Sequence, residues 1–101
     1  MIFIYVPCQN VDTAKAIAKI LVERRMAGKV DIMPTSTVSL INAEAIEESG
    51  ATMIIKTIDR HIQGIEEVVM AHHKDSTPCV ATIALSRMNR EFKDWLLGAT
   101  S

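Results

Sequence analysis

The stretch His72-His73-Lys74-Asp75-Ser76-Thr77-Pro78-Cys79 carries two adjacent imidazoles and, six residues after the second, a thiol. Imidazole nitrogen and thiolate sulfur are ligands of zinc and copper. A second thiol, Cys8, lies 71 positions before Cys79. Adjacent helical residues do not share a face, so His72 and His73 cannot serve one ion unless the helix frays. His72 also falls on an apolar stripe with Ile58, Ile62, Ile65 and Val69, where a histidine is ordinarily a packing residue. His73 is then the histidine left at the edge. A cysteine at a strand end is commonly a small buried hydrophobe, and this bland reading stands beside the metal one. His73, Cys79 and Cys8 are the candidate ligands, for copper or zinc.

Other residues offer less. Lys56, beside Thr57 at the end of a strand, could take an anion or could simply be solvated. His61 falls in the first turn of a helix, where exposure is expected. Glu44, Glu47 and Glu48 form an acidic group near a hairpin tip, suited to a hard cation or to solvent. There is no Gly-rich phosphate loop and no nucleophile elbow. A cysteine–histidine pair would need a third residue to orient it, and none is identifiable, so no enzyme is expected.

Those residues must be positioned by a small chain. It has 101 residues, 49% of them apolar, with 11 basic and 12 acidic side chains. One domain is expected, with oligomerisation helping to bury the apolar excess. The charge balance argues against nucleic acid, which needs a clustered positive surface. No apolar run is long enough to cross a bilayer. The apolar opening, Met1 to Val6, lacks a basic region and a cleavage site, so it reads as a strand and the expected location is cytoplasmic. Two cysteines are too few for a disulfide scaffold, and a Cys8–Cys79 bridge is disfavoured where thiols stay reduced.

Residues 2–7 are rich in β-formers and end at Pro7. Val11 to Ala27 follows a helical period through Ala14, Ile17, Ala18, Leu21 and Val22. Asn10 suits the cap and Gly28 the stop. Residues 29–41 read as a strand in which Pro34 implies a sheet edge. Residues 42–50 are polar and turn-prone, and Ala51 to Ile58 is a buried strand. A helix from Asp59 to His72, a strand from Cys79 to Leu85 and a short helix capped by Asn89 complete the chain, with Trp95 anchoring the last helix. This is an α+β chain, a ferredoxin-like βαββαβ sandwich with an added C-terminal helix and an antiparallel sheet in the order four, one, three, two. In that plan Cys8 ends the first strand beside Cys79 at the start of the fourth. The second helix ends at the same edge, so the topology gathers the candidate ligands.

The whole chain resembles the CutA divalent-cation-tolerance family. The resemblance rests on Ile2-Phe3-Ile4-Tyr5-Val6, on "AKAIAKILVERRMAGKV" (14–30), on Pro34, on "MIIKT" (53–57) and on "REFKDWL" (90–96). It implies a ferredoxin-like fold assembled as a homotrimer, with hairpins of the second and third strands crossing to neighbouring subunits. It also implies a link to copper and other divalent metals. The fold resembles that of PII signalling proteins, whose clefts between subunits take small molecules; partner proteins are the other class expected there. The departures fall where a site would be. The family's His-Pro-Tyr-x-x-Pro-Glu reads His73-Lys74-Asp75-Ser76-Thr77-Pro78-Cys79 here. A family cysteine opening the second strand is Lys29, and the Trp-Glu-Gly of the hairpin is Ile41-Asn42-Ala43, one residue shorter.

Overall fold

The computed structural model describes residues 1–75 and 77–101; Ser76, in the altered loop, lies outside the described residues. The elements run β1 (Ile2–Cys8), α1 (Val11–Glu23), β2 (Lys29–Ile41), β3 (Glu44–Thr57), α2 (Ile62–His72), β4 (Ala81–Ala84) and α3 (Arg90–Ala99), with a 3₁₀ turn at Asp59–His61 leading into α2. The four strands form one sheet in the order β2-β3-β1-β4 with antiparallel neighbours, the order read from the sequence. Pro34 sits on the edge strand β2, as expected where a missing N–H must not interrupt a ladder.

Alternation along β1 separates two faces. Ile2, Ile4, Val6 and Cys8 point inward and are buried, with Met53 and Ile55 of β3 beside them. Ala14, Ile17 and Leu21 of α1 and Ile65 and Val69 of α2 close this core. Phe3, Tyr5 and Pro7 point the other way, opposite Lys56, Ile54 and Thr52. That second face carries no helix except at one end, where the Lys56 ammonium lies 5.8 Å from both the Phe3 and Phe92 rings.

Four local features depart from the sequence reading. First, α1 stops at Glu23, not at Ala27. Arg25 takes a left-handed φ of 59°, and Arg25 and Met26 donate their N–H groups to the Val22 and Leu21 carbonyls. This pair of bonds is a Schellman cap, usually built on glycine. Arg25 serves because its guanidinium also donates to the Gly98 and Ser101 carbonyls, tying α3 down. Gly28 instead makes room for α3, since a Cβ there would come within 2.6 Å of the Leu96 side chain and 3.0 Å of Trp95. Second, residues 44–50 are strand, so β2 and β3 make a hairpin pairing from Lys29↔Lys56 out to Ile41↔Glu44. Third, β4 begins at Ala81, two residues later than Cys79. Fourth, Asn89 occupies the cap position of α3 without a side-chain bond, whereas Asn10 caps α1 as expected, accepting the Thr13 N–H at 2.7 Å.

Candidate functional site

The helix α2 ends where β1 ends, and the loop after α2 crosses that edge. His73 is the first residue beyond the helix, and its side chain is fully buried (0% exposed). A backbone carbonyl can only accept, so the 2.6 Å contact between His73 Nε2 and the Pro7 oxygen requires Nε2 to carry the hydrogen. The Asp75 N–H donates to Nδ1 at 3.1 Å. The two bonds together select the neutral ring protonated on Nε2, and they leave no ring lone pair free. His73 therefore staples the exit of α2 to the end of β1.

His72 is arranged the opposite way. The apolar stripe suggested packing, yet the residue is exposed. Its Nδ1 donates to the Val68 carbonyl one turn back, at 3.0 Å. Packing is unnecessary at this position because Ile65, Val68 and Val69 already fill the α2 side of the core.

The two thiols are not brought together by the sheet. The β1–β4 ladder pairs Ile2 with Ala84 through Tyr5 with Ala81 and ends there, short of Cys8. Cys8 pairs across to Ala51 on β3 and is buried; Cys79 lies exposed before β4; both are free. Burial, and secondly the Asp75 carboxylate, push the Cys8 thiol up to about 11. A thiol held that high keeps its proton near neutrality, whereas a metal takes the thiolate. Among the described residues no three His, Cys, Asp or Glu side chains stand close enough to hold a metal ion. His73, Cys79 and Cys8 thus do not fit a ready-made metal centre within one chain.

The remaining candidates separate as well. Lys56 is paired with Asp31 at 2.8 Å and packed against two aromatic rings, so its charge is already compensated. Thr57 is buried and donates to the Met26 carbonyl. His61 is half-buried, not exposed: its Nε2 donates to the Thr100 carbonyl at 2.8 Å, beside Arg60. Strand alternation sends Glu47 to one face of the hairpin and Glu44 and Glu48 to the other, so the acidic group does not converge. Trp95 lies against Gly28, with the Lys29 ammonium 5.3 Å from its ring.

Two hollows flank the loop after α2. One, of about 250 Å³, lies at the base of the hairpin between Cys8, Thr37, Glu48, Gly50 and Asp75. Gly50 is required there, because a Cβ would come within 2.8 Å of the Cys8 carbonyl oxygen. The other, of about 350 Å³, lies between the start of α1 and the end of α2, with Asp12, Thr13, His72 and Lys74 in its walls. Sequence reasoning missed this second hollow. Its signal was the helix-capping Asn10 followed by Asp12, which marks where α1 begins but not what faces it.

Comparison with known proteins gives the frame for this site. A curated divalent-cation tolerance protein CutA from Archaeoglobus fulgidus is 31% identical over 94 residues, covering 93% of this chain and 92% of that protein. Its counterpart from Thermus thermophilus is 33% identical over 97 residues, covering 95% and 92%. Among solved structures, the A. fulgidus protein, described as a periplasmic divalent cation tolerance protein CutA, superposes with a TM-score of 0.92 at 29% identity, over 99% of this chain and 98% of that one. A PII-like protein CutA from Nostoc sp. PCC 7120 shares the fold with a TM-score of 0.88 at 20% identity, over 100% and 98% of the two chains. The family model for CutA1 divalent ion tolerance proteins matches residues 2–99, and the chain belongs to that family.

Proposed function

We propose that the protein serves divalent-cation tolerance as a homotrimer, presenting clefts at the bases of its hairpins to small molecules or partner proteins in the manner of a PII-like sensor. The observation that carries this reading is the hairpin itself. Beyond the helices it is a bare two-stranded ribbon, and Val38 and Leu40 near its end are 64% and 75% exposed. Such a ribbon is marginal alone and gains stability when another chain covers it. The uncovered sheet face bearing Tyr5 and Ile83 supports the same conclusion. The hollow between Cys8, Glu48 and Asp75 sits where hairpin and sheet meet, and a neighbour crossing there would deepen it. Lys56, opposite Phe3 and Lys29 at the other end of the sheet and paired with Asp31, is no part of that hollow. The two unpaired thiols are compatible with a cytoplasmic location, which cell fractionation would test.

Mass measurement of the native assembly, with and without copper(II) or zinc, tests the reading. Three chains are expected. A monomer at micromolar concentration would remove it. Direct metal contact by His73, Cys79 and Cys8 is the second reading, favoured by the exposed thiol of Cys79. It requires the His73–Pro7 bond to open. Unchanged copper or zinc affinity in the triple-alanine variant would remove that reading while leaving the trimer intact.

A further inference from the structure

We propose that α3 is a strap that opens from the end of the sheet while the core stays folded, and that Arg25, Arg60 and His61 are its clasp. The three side chains come from outside α3 and donate to its final carbonyls. Arg25 gives Nε to the Ser101 carbonyl at 3.2 Å and Nη2 to that of Gly98 at 2.8 Å. Arg60 Nη2 and His61 Nε2 both donate to the Thr100 carbonyl at 2.8 Å. A helix leaves the carbonyls of its last turn without internal partners, and positive charge is favoured at that end.

Away from the clasp, α3 is held by little. Leu96 alone of its residues is buried, and it lies outside the core cluster built by β1, β3, α1 and α2. It sits with Trp95 against Gly28, where a Cβ would come within 2.6 Å of its side chain. Trp95 itself is 44% exposed. An element with a small apolar contact of its own and exposed hydrogen bonds is the kind that opens ahead of the rest. The backbone of Arg25 points the same way. Its left-handed φ of 59° is one that glycine adopts freely and arginine does not. A strained conformation persists where other contacts offset it, and here those are the two bonds to α3. When the strap opens, Arg25 keeps the strain and loses the bonds, so the α1 cap loosens with it. Opening also takes Phe92 away from Lys56 and Phe3, which lengthens the uncovered sheet face that carries Tyr5 and Ile83. The strap thereby sets how much of that face a partner chain meets. This consequence rests on the assembly proposed above; the opening does not.

Native-state hydrogen exchange on the full chain, read by NMR, tests the opening. In the unsubstituted protein the amides of Leu97 to Thr100 should exchange faster than global unfolding allows, and those of Ile4 and Ile17 should not. Arg25→Gly suits the α1 cap but removes two clasp bonds. It should speed exchange at Leu97 to Thr100 about tenfold while Ile17 keeps its protection. Acrylamide quenching of Trp95, the one tryptophan of the chain, should rise in parallel. Gly28→Ala presses on Leu96 from the other side and should have the same effect with the clasp intact; Gly28 has no positive φ, so its backbone accepts alanine. Exchange at Leu97 to Thr100 as slow as at Ile4 and Ile17 in the unsubstituted protein overturns the proposal. So does an Arg25→Gly variant in which α3 exchanges no faster than before, or in which Ile17 accelerates equally. Sedimentation velocity on the same samples counts the chains, so a monomer would remove the assembly and leave the strap standing.

Discussion

Cys79 is exposed, whereas Cys8 is buried with its Sγ 3.9 Å from the Val6 carbonyl, so the two thiols should react at very different rates. At pH 8, iodoacetamide should add a single carbamidomethyl group to the folded protein, at Cys79, and a second only on unfolding; peptide mass spectrometry reads the position. Rapid labelling of Cys8 in the native state would mean that the end of β1 opens. The same thiol predicts a pH dependence. Its ordinary value of 9.0 rises to about 11 in the fold, from burial first and the Asp75 carboxylate second. The folded chain therefore holds that proton more tightly than the unfolded one. The contribution is fully present below pH 9.0 and is lost as pH climbs through about 11. Denaturant midpoints should fall across that window, and a Cys8→Ala variant should fall less steeply. At this scale the sequence was partly legible. It named Cys8 and His73 as residues of one sheet edge, but it exchanged the roles of the two histidines. Periodicity places a Cβ on a stripe; it cannot say that a ring will turn back to its own helix carbonyl, as His72 does to Val68.

The hairpin of β2 and β3 turns at Asn42 and Ala43, with φ of 51° and 66°. Both values lie in the left-handed region that a type I′ turn demands. Asparagine tolerates it; alanine does so at a cost of about 1–2 kcal/mol. Ala43→Gly should therefore stabilise the folded chain by about 1 kcal/mol once the added freedom of the unfolded glycine is subtracted. Chemical denaturation would read this as a higher midpoint with an unchanged slope. A lower midpoint would mean that the Ala43 methyl makes a contact across an assembly. The same turn explains a difference between sequence and structure. Residues 42–50 hold three glutamates, a serine, a glycine and an asparagine, all of them turn-prone or poor strand formers, yet 44–50 pair residue for residue with 35–41. Pairing to β2 overrode weak local preference. The α1 stop is a similar case. Gly28 looked like the cap, but the left-handed residue is Arg25, offset by two long-range bonds to α3 that no local pattern encodes. The order of elements and the edge position of β2 were legible because alternation, helical period and Pro34 are local signals.

At the scale of the molecule, the chain extends 47 × 26 × 20 Å, long for its size because the hairpin projects past the helices. Its exposed apolar side chains include Val22, Met70, Trp95 and Leu97 on the helices, and two further groups on the strands. Val38, Leu40 and Ile41 lie on the hairpin, and Tyr5 and Ile83 lie on the sheet face without helices. Exposed apolar surface of this kind on an arm and a sheet face marks an interface. β4 adds an unpaired edge at the far side of the sheet from β2, and all four of its residues are exposed. Leu40 is the sharpest probe of whether a second copy covers these surfaces. At 75% exposure it contributes little to the fold of one chain, so Leu40→Asp should change the stability of an isolated chain by no more than about 0.5 kcal/mol. In an assembly the same carboxylate would be buried without a partner, which costs several kcal/mol. Sedimentation velocity on the Val38→Asp/Leu40→Asp double variant should then show single chains, against the three proposed for the unsubstituted protein, with the circular dichroism of the folded sheet retained. A variant that remains trimeric would place the contact elsewhere, and the uncovered face around Tyr5 and Ile83 would be the surface that holds the copies together.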